Sequence, residues 1–215
     1  MGLEYCDWQA RVAARLDLTG MLTHLTKPAS ITSGMNINEI HEAATTNLIK
    51  ILEEQVINGS TTGTGFIVGG TPAVCFHNVP FYGLIQNVQH EQERREKNPG
   101  ERLRYCGVGL AFLKWHVFRE GGRPVMYEKT SDAKLLLEPK EHWRIVHLNW
   151  DQVTDTYVDW THEREWRIPH RYKFELRDCH VVLYDSRCWS YFLRNCPPNI
   201  LQEIRGISVL KSIML

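Results

Sequence analysis

The most informative stretch of the chain is residues 159–169, which read Asp159-Trp160-Thr161-His162-Glu163-Arg164-Glu165-Trp166-Arg167-Ile168-Pro169. Bulky and polar side chains alternate along it, a pattern that predicts a β-strand with successive side chains on opposite faces. The face expected to point to the core carries Trp160, His162, Arg164, Trp166 and Ile168. The opposite face would carry Thr161, Glu163, Glu165 and Arg167, which places the two carboxylates about 7 Å apart.

Two carboxylates this close are open to two interpretations. They repel each other, so the pKa of at least one is expected to rise unless an arginine offsets its charge, and enzymes make acid–base pairs in this way. Alternatively, the face is solvated, and Glu163, Glu165 and Arg167 simply screen one another. Periodicity alone leaves both interpretations open.

The rest of the chain predicts an α+β fold. Apolar runs favour short strands at 21–26, 73–76, 107–113, 124–127 and 179–184, in addition to 160–168. Helical spacing favours helices over 7–16, over 43–57 with a stop at Asn58-Gly59, and over most of 134–150. We expect residues 1–215 to form a single domain with a mixed, mostly antiparallel sheet and flanking helices. Residues 171–215 would supply its C-terminal strand and helices.

Composition excludes several classes of protein. The 215 residues carry 25 Lys and Arg against 25 Asp and Glu, so avid binding of nucleic acid through bulk charge is not expected. No apolar run is long enough to span a membrane, and the first residues lack the order of a signal peptide. We therefore expect a cytoplasmic protein whose six scattered cysteines are reduced and act as small apolar groups.

Other candidate sites are weaker. The run Gly63-Thr64-Gly65 is not followed by Gly-Lys-Ser/Thr, which favours a surface loop over a phosphate loop. A zinc site would need Cys179, His180, Cys188 and Cys196, but no Cys-x-x-Cys pair supports it, so no metal is expected. The charged run from Glu91 to Arg104 is expected to be a solvated helix and loop. His24, on the first predicted strand, is either a structural residue or part of a site.

Six motifs occur in an order that resembles the AbiGi-like family of abortive-infection (phage-resistance) proteins. They are Leu22–Thr26 (LTHLT), Leu48–Glu54 (LIKILEE), Ala73–Phe81 (AVCFHNVPF), Tyr105–Lys114 (YCGVGLAFLK), Gly121–Tyr127 (GGRPVMY) and His162–Arg167 (HEREWR). The resemblance covers roughly residues 22–170. It implies a role in bacterial anti-phage defence, with a toxin or antitoxin protein as the partner.

The chain also resembles, more weakly, the NAD-dependent ADP-ribosyltransferases. An early strand with His24, a helix, and a late strand with Glu163-x-Glu165 are similar to the order of elements in these enzymes. The resemblance implies an ADP-ribosyltransferase-like fold with NAD as cofactor, Glu165 as the catalytic glutamate and Glu163 as its helper. His24 would then contact the dinucleotide, and Thr26 and Tyr127 are further candidates for cofactor binding.

Three functions are consistent with these features. The first is a defence protein that binds NAD or a related nucleotide and transfers ADP-ribose to a macromolecule, which could be a nucleic acid that is not strongly bound. The second is a non-catalytic antitoxin or sensor that binds a partner toxin. The third is a nuclease or other hydrolase that uses His162, Glu163 and Glu165.

Overall fold

The computed structural model describes residues 2–32, 34–98 and 102–214. Its α-helices are α1 (Tyr5–Ala13), α2 (Ile37–Glu54), α3 (Phe81–Lys97), α4 (Lys114–Arg119), α5 (Thr130–Leu136), α6 (Ser186–Asn195) and α7 (Pro198–Glu203). Its strands are β1 (Met21–Leu25), β2 (Val56–Asn58), β3 (Ala73–Phe76), β4 (Gly109–Leu113), β5 (Arg123–Pro124), β6 (Met126–Glu128), β7 (Ile145–His147), β8 (Asn149–Asp151), β9 (Thr156–Val158), β10 (Trp166–Pro169), β11 (Arg171–Lys173), β12 (His180–Leu183) and β13 (Gly206–Val209). Short 3₁₀ helices cover Pro139–Arg144, Thr161–Glu163, Leu176–Asp178 and Leu210–Ile213.

These elements form two compact units. Unit 1 comprises Met1–Gln55, Val79–Leu113 and Phe174–Leu215, and unit 2 comprises Val56–Asn78 and Lys114–Lys173. Strands and helices occur in both, and the strand pairings are mixed: most are antiparallel, while β12–β13 and β6–β7 are parallel. The predicted α+β class with a mixed, mostly antiparallel pairing pattern is therefore confirmed.

Unit 1 is built on a four-stranded sheet in the order β1-β4-β12-β13. The runs that form β4 and β12 are apolar almost throughout, as expected for strands buried on both faces. Helix α2 buries Ile40, Ala44, Leu48 and Leu52, a spacing that defines one helical face.

Helix α2 begins earlier and ends earlier than the predicted 43–57. Asn36 caps its start, since its side-chain oxygen accepts from the backbone N–H groups of Asn38 and Glu39, while the Glu39 carboxylate accepts from the Asn36 N–H. Gln55, in the left-handed conformation with φ 51°, ends the helix. The predicted stop at Asn58-Gly59 is wrong because residues 56–58 form strand β2.

Unit 2 consists of small sheets: β3-β10-β5, β11-β2, β6-β7 and β8-β9. The helix predicted over most of 134–150 is wrong. Helix α5 stops at Leu136, Pro139 starts a 3₁₀ turn, and the β-branched pair Ile145-Val146 lies in β7. Among the helices of the described ranges, none is both long enough and apolar enough to cross a membrane.

Candidate functional site

The strand predicted over 160–168 is present only in its second half, as β10 from Trp166 to Pro169. Residues Thr161–Glu163 form a 3₁₀ turn, and Arg164 follows with φ 45° and ψ 51°, the left-handed region. Glu163 and Glu165 therefore do not share one face of a continuous strand, and that prediction is wrong. On the side expected to face the core, Ile168 is buried as predicted, whereas His162 is exposed, so the prediction is wrong for His162.

Glu165 and Arg167 lie on one side of the chain, as the alternation indicates, but this side is buried. Arg167 Nε is 2.8 Å from Glu165 Oε1, and Arg167 Nη2 is 3.1 Å from Oε2. Arg167 Nη1 donates to the carbonyl oxygens of Trp143 at 2.7 Å and Ile145 at 3.0 Å. Only 6% of Glu165 and 2% of Arg167 is exposed, so this carboxylate is held in a buried ion pair.

Tyr127 belongs to the same cluster in unit 2. Its hydroxyl oxygen accepts a 2.7 Å hydrogen bond from the backbone N–H of Glu165. Burial, together with the nearby charge of Glu165, raises the pKa of Tyr127 well above its ordinary value. Burial and Glu165 also raise the pKa of the Cys75 thiol, which faces Arg167 as well. Tyr127 and Glu165 are thus brought together, as neighbours in a packed and polar interior.

The two remaining predicted residues, His24 and Thr26, belong to unit 1. His24 is half-buried in β1, opposite Leu110 of β4. Thr26 is buried, and its hydroxyl accepts a 3.0 Å hydrogen bond from the Asn47 side chain. Asn47 also donates to the Lys27 carbonyl at 2.9 Å, so this contact fixes the start of the segment that follows β1.

That segment forms one wall of a cleft in unit 1 with a volume of about 790 Å³. Helix α3 and the chain after it form the opposite wall. The cationic residues of the lining are Lys27, Arg95 and Arg102, and its anionic residue is Glu96. Its apolar residues include Ile31, Met35, Ile37, Ile40 and Leu103. A cavity of this size, apolar with a few convergent polar groups, is typical of small-molecule sites.

Among the described residues that line it, the cleft has three cations and one carboxylate, an excess of positive charge. Burial, and then the nearby charge of Arg102, lower the pKa of Lys27, which indicates that the two cations approach each other. Within the described residues, no carboxylate forms an ion pair with Lys27 or Arg95. Cations that repel one another in a half-buried cavity favour an anionic ligand.

A buried carboxylate braces the wall formed by α3. Glu91 is 2% exposed and accepts hydrogen bonds from Arg94 Nε and Nη2, both at 3.0 Å, and from the backbone N–H of Arg104 at 2.9 Å. The expectation that Glu91–Arg104 is wholly solvated is therefore wrong for Glu91, although Glu96 is exposed. Residues 99–101 of that run lie outside the described residues.

Gln92 connects the cleft to a buried polar group. Its side-chain oxygen accepts from the Tyr184 hydroxyl at 2.9 Å, and its amide nitrogen lies 3.3 Å from His41 Nε2. Burial lowers the pKa of His41 to about 4, so the ring is neutral near pH 7 and its Nε2 can accept from Gln92. The Gln92 side chain is fixed in place at the edge of the cleft.

Sequence reasoning missed this cleft. Lys27 is isolated in the sequence, and Arg95 and Arg102 lie in a run whose charges nearly cancel. The only signal was the short charged run itself. No group of three or more side chains that could hold a metal ion occurs in ranges 2–32, 34–98 and 102–214, and none of the six cysteines, all within these ranges, forms a disulfide.

Comparison with family models, with curated proteins and with solved structures found no match for this chain.

Proposed function

We propose that this protein binds a phosphate-bearing nucleotide, NAD or a chemically related one, in the cleft of unit 1, and that it acts in bacterial anti-phage defence. The observation that carries the nucleotide is the cationic excess of Lys27, Arg95 and Arg102 in a cleft of about 790 Å³. Phosphate groups would approach the cations, and the base would lie against the apolar wall. The defence role rests on the resemblance of six ordered motifs to the AbiGi-like family.

Binding is favoured over catalysis. An ADP-ribosyltransferase needs a glutamate that reaches the nicotinamide ribose, whereas Glu165 is 6% exposed and both of its oxygens accept from Arg167. A hydrolase that uses Glu165 meets the same obstacle. We therefore propose a nucleotide sensor, on an ADP-ribosyltransferase-like fold, that does not transfer ADP-ribose.

The test is calorimetric titration of the protein with NAD, with ADP and with inorganic phosphate. We expect NAD and ADP to bind, and Lys27→Gln and Arg95→Gln each to weaken binding about tenfold, as expected for a lost charge-assisted contact. Lys50→Gln is the matched control, since Lys50 is exposed on α2 and pairs with Glu54, at 3.7 Å. Absence of binding at millimolar NAD and ADP would overturn the proposal.

Catalysis is tested separately by nicotinamide release from NAD. We expect none from the wild type. Release that disappears in a folded Glu165→Gln variant would establish a transferase or NAD hydrolase instead. Glutamine is preferred to alanine here because alanine leaves the Arg167 charge buried without its partner.

A further inference from the structure

Strands β8 and β9 form a hairpin that pairs with no other strand of the described residues. Trp150 lies directly opposite Tyr157 in the antiparallel register, so the two rings share one face. Their exposed fractions are 68% and 57%, and Val153 in the turn is 96% exposed. The hairpin thus presents an apolar, aromatic face to solvent.

The opposite face of the hairpin is the one that packs on the protein. Asn149 and Val158, which alternate with the two aromatic residues, are half-buried. The hairpin is therefore not fully solvated: one face is half-buried, and the face that carries the two aromatic rings is exposed. Isolated two-stranded hairpins have little stability of their own, and Trp and Tyr are the residues enriched at the centres of protein interfaces.

The hairpin and the chain beside it are strongly acidic. Residues 145–163 contain Asp151, Asp155, Asp159 and Glu163 and no lysine or arginine. Hydrogen bonds from Thr154 and Val153, with a smaller effect of the Lys129 charge, hold the pKa of Asp151 below its ordinary value, and hydrogen bonds from Thr161 do the same for Asp159. These carboxylates are charged at neutral pH and give the hairpin a negative field over roughly 10 Å.

We propose that the face of Trp150 and Tyr157 is a docking site for an arginine- or lysine-rich segment of a partner protein. Guanidinium and ammonium groups are attracted both to the faces of aromatic rings and to the surrounding carboxylates, so one kind of partner satisfies both features. Phosphate-bearing nucleic acid would be repelled by the acidic hairpin. A second hairpin of the same charge would also be repelled.

This inference is independent of the nucleotide cleft, because it rests on different residues in unit 2. The alternative function is an antitoxin or sensor that binds a toxin protein. The inference assigns a defined surface and a defined partner chemistry to that function. Loss of nucleotide binding would leave it untouched, and loss of partner binding would leave the cleft proposal untouched.

The probe is a labelled peptide of about twelve residues that alternates arginine and threonine, followed by fluorescence anisotropy at low salt. We expect binding in the micromolar range that weakens as salt is added, and no binding of the peptide with glutamate in place of arginine. Trp150→Ser/Tyr157→Ser should reduce affinity at least tenfold. Because both side chains are exposed, the melting temperature should stay near the wild-type value.

A second variant removes charge without changing the turn. The variant is Asp151→Asn/Asp155→Asn. Asparagine at position 151 keeps the side-chain oxygen that accepts from the Val153 N–H at 2.9 Å. Asparagine at position 155 suits the left-handed backbone there, with φ 51°. We expect at least tenfold weaker binding and a smaller salt dependence. Glu53→Gln/Glu203→Gln, which removes two exposed carboxylates of unit 1, is the matched control and should bind as the wild type does.

Three results would overturn the proposal. The first is no binding of the arginine peptide at millimolar concentration. The second is equal affinity in the wild type and in Asp151→Asn/Asp155→Asn. The third is concentration-dependent dimerisation that Trp150→Ser/Tyr157→Ser abolishes, because it would assign the face to a second copy of this chain.

Discussion

Arg167 donates hydrogen bonds to both carboxylate oxygens of Glu165, at 2.8 Å and 3.1 Å, and both side chains are buried. Burial lowers the pKa of Arg167, but the charge of Glu165, its hydrogen bonds and the contact with Cys75 together more than offset this and leave that pKa above its ordinary value. The two charges are thus compensated where water is excluded. This pair occupies the position at which the sequence suggests catalytic acid–base chemistry.

Removal of the Glu165 carboxylate is expected to destabilise the protein strongly. Glu165→Ala leaves the guanidinium buried and unpaired, which costs about 3–5 kcal/mol in the free energy of unfolding. Urea denaturation measures this loss. The matched control is Glu120→Ala, since Glu120 forms an exposed pair with Arg119 at 3.1 Å and should lose less than about 1 kcal/mol. Equal losses in the two variants would contradict a structural role for the buried pair.

Stability is expected to fall between pH 6.5 and pH 4 because of His41. Burial lowers its pKa to about 4 in the folded protein, against 6.5 for the ordinary side chain, with a smaller opposing effect from Asp185. In this window the unfolded chain binds more protons than the folded one, so the free energy of unfolding falls as pH falls. The shift corresponds to about 3 kcal/mol, complete near pH 4.

The His41 contribution can be isolated with His41→Gln. Urea denaturation of the wild type and the variant at pH 7, 5.5 and 4 gives the two pH profiles. We expect the wild type to lose about 3 kcal/mol more than the variant over this range. Parallel profiles would show that another group governs the acid sensitivity.

Gly109 in β4 is expected to tolerate no side chain. A Cβ at this position would overlap the carbonyl oxygen of His24 in the neighbouring strand β1, so the two backbones would have to separate. Gly109→Ala should cost about 2–3 kcal/mol, as measured by thermal or urea unfolding. Gly20→Ala is the control, since its Cβ would meet only the Trp8 ring, at 3.7 Å.

Short, continuously apolar strands could be predicted from the sequence. The sequence predicts strands at 73–76 and 179–184, and the structure has strands at 73–76 and 180–183. In both strands, apolar side chains occur on both faces. This produces a continuous apolar run that can be recognised without knowing which strands lie beside it. For residues 134–150 the same reasoning gave a wrong prediction. The apolar residues of this stretch fit a helix, but a 3₁₀ turn that starts at Pro139 divides it.

The site was less predictable than the fold. Nothing in the identity of Arg164 predicts its left-handed backbone, and this one residue turns Glu163 away from the strand of Glu165. The cleft was missed for a different reason. Lys27 and Arg95 are distant in the sequence and line the same cleft only in the folded chain, and the order of charges along the sequence does not predict such long-range neighbours.

Thiol reactivity should distinguish Cys6 from the other cysteines. Burial raises the pKa of five of the six thiols: to about 11 for Cys188 and Cys196, to about 12 for Cys106, and also above the ordinary value for Cys75 and Cys179. Few of these thiols are therefore ionised near pH 8. Cys6 is exposed on α1. In a dithiobis(nitrobenzoate) assay of the native protein we expect one fast equivalent, absent in Cys6→Ser, and all six equivalents after denaturation. A second fast thiol in the native protein would show that one of the buried positions opens to solvent.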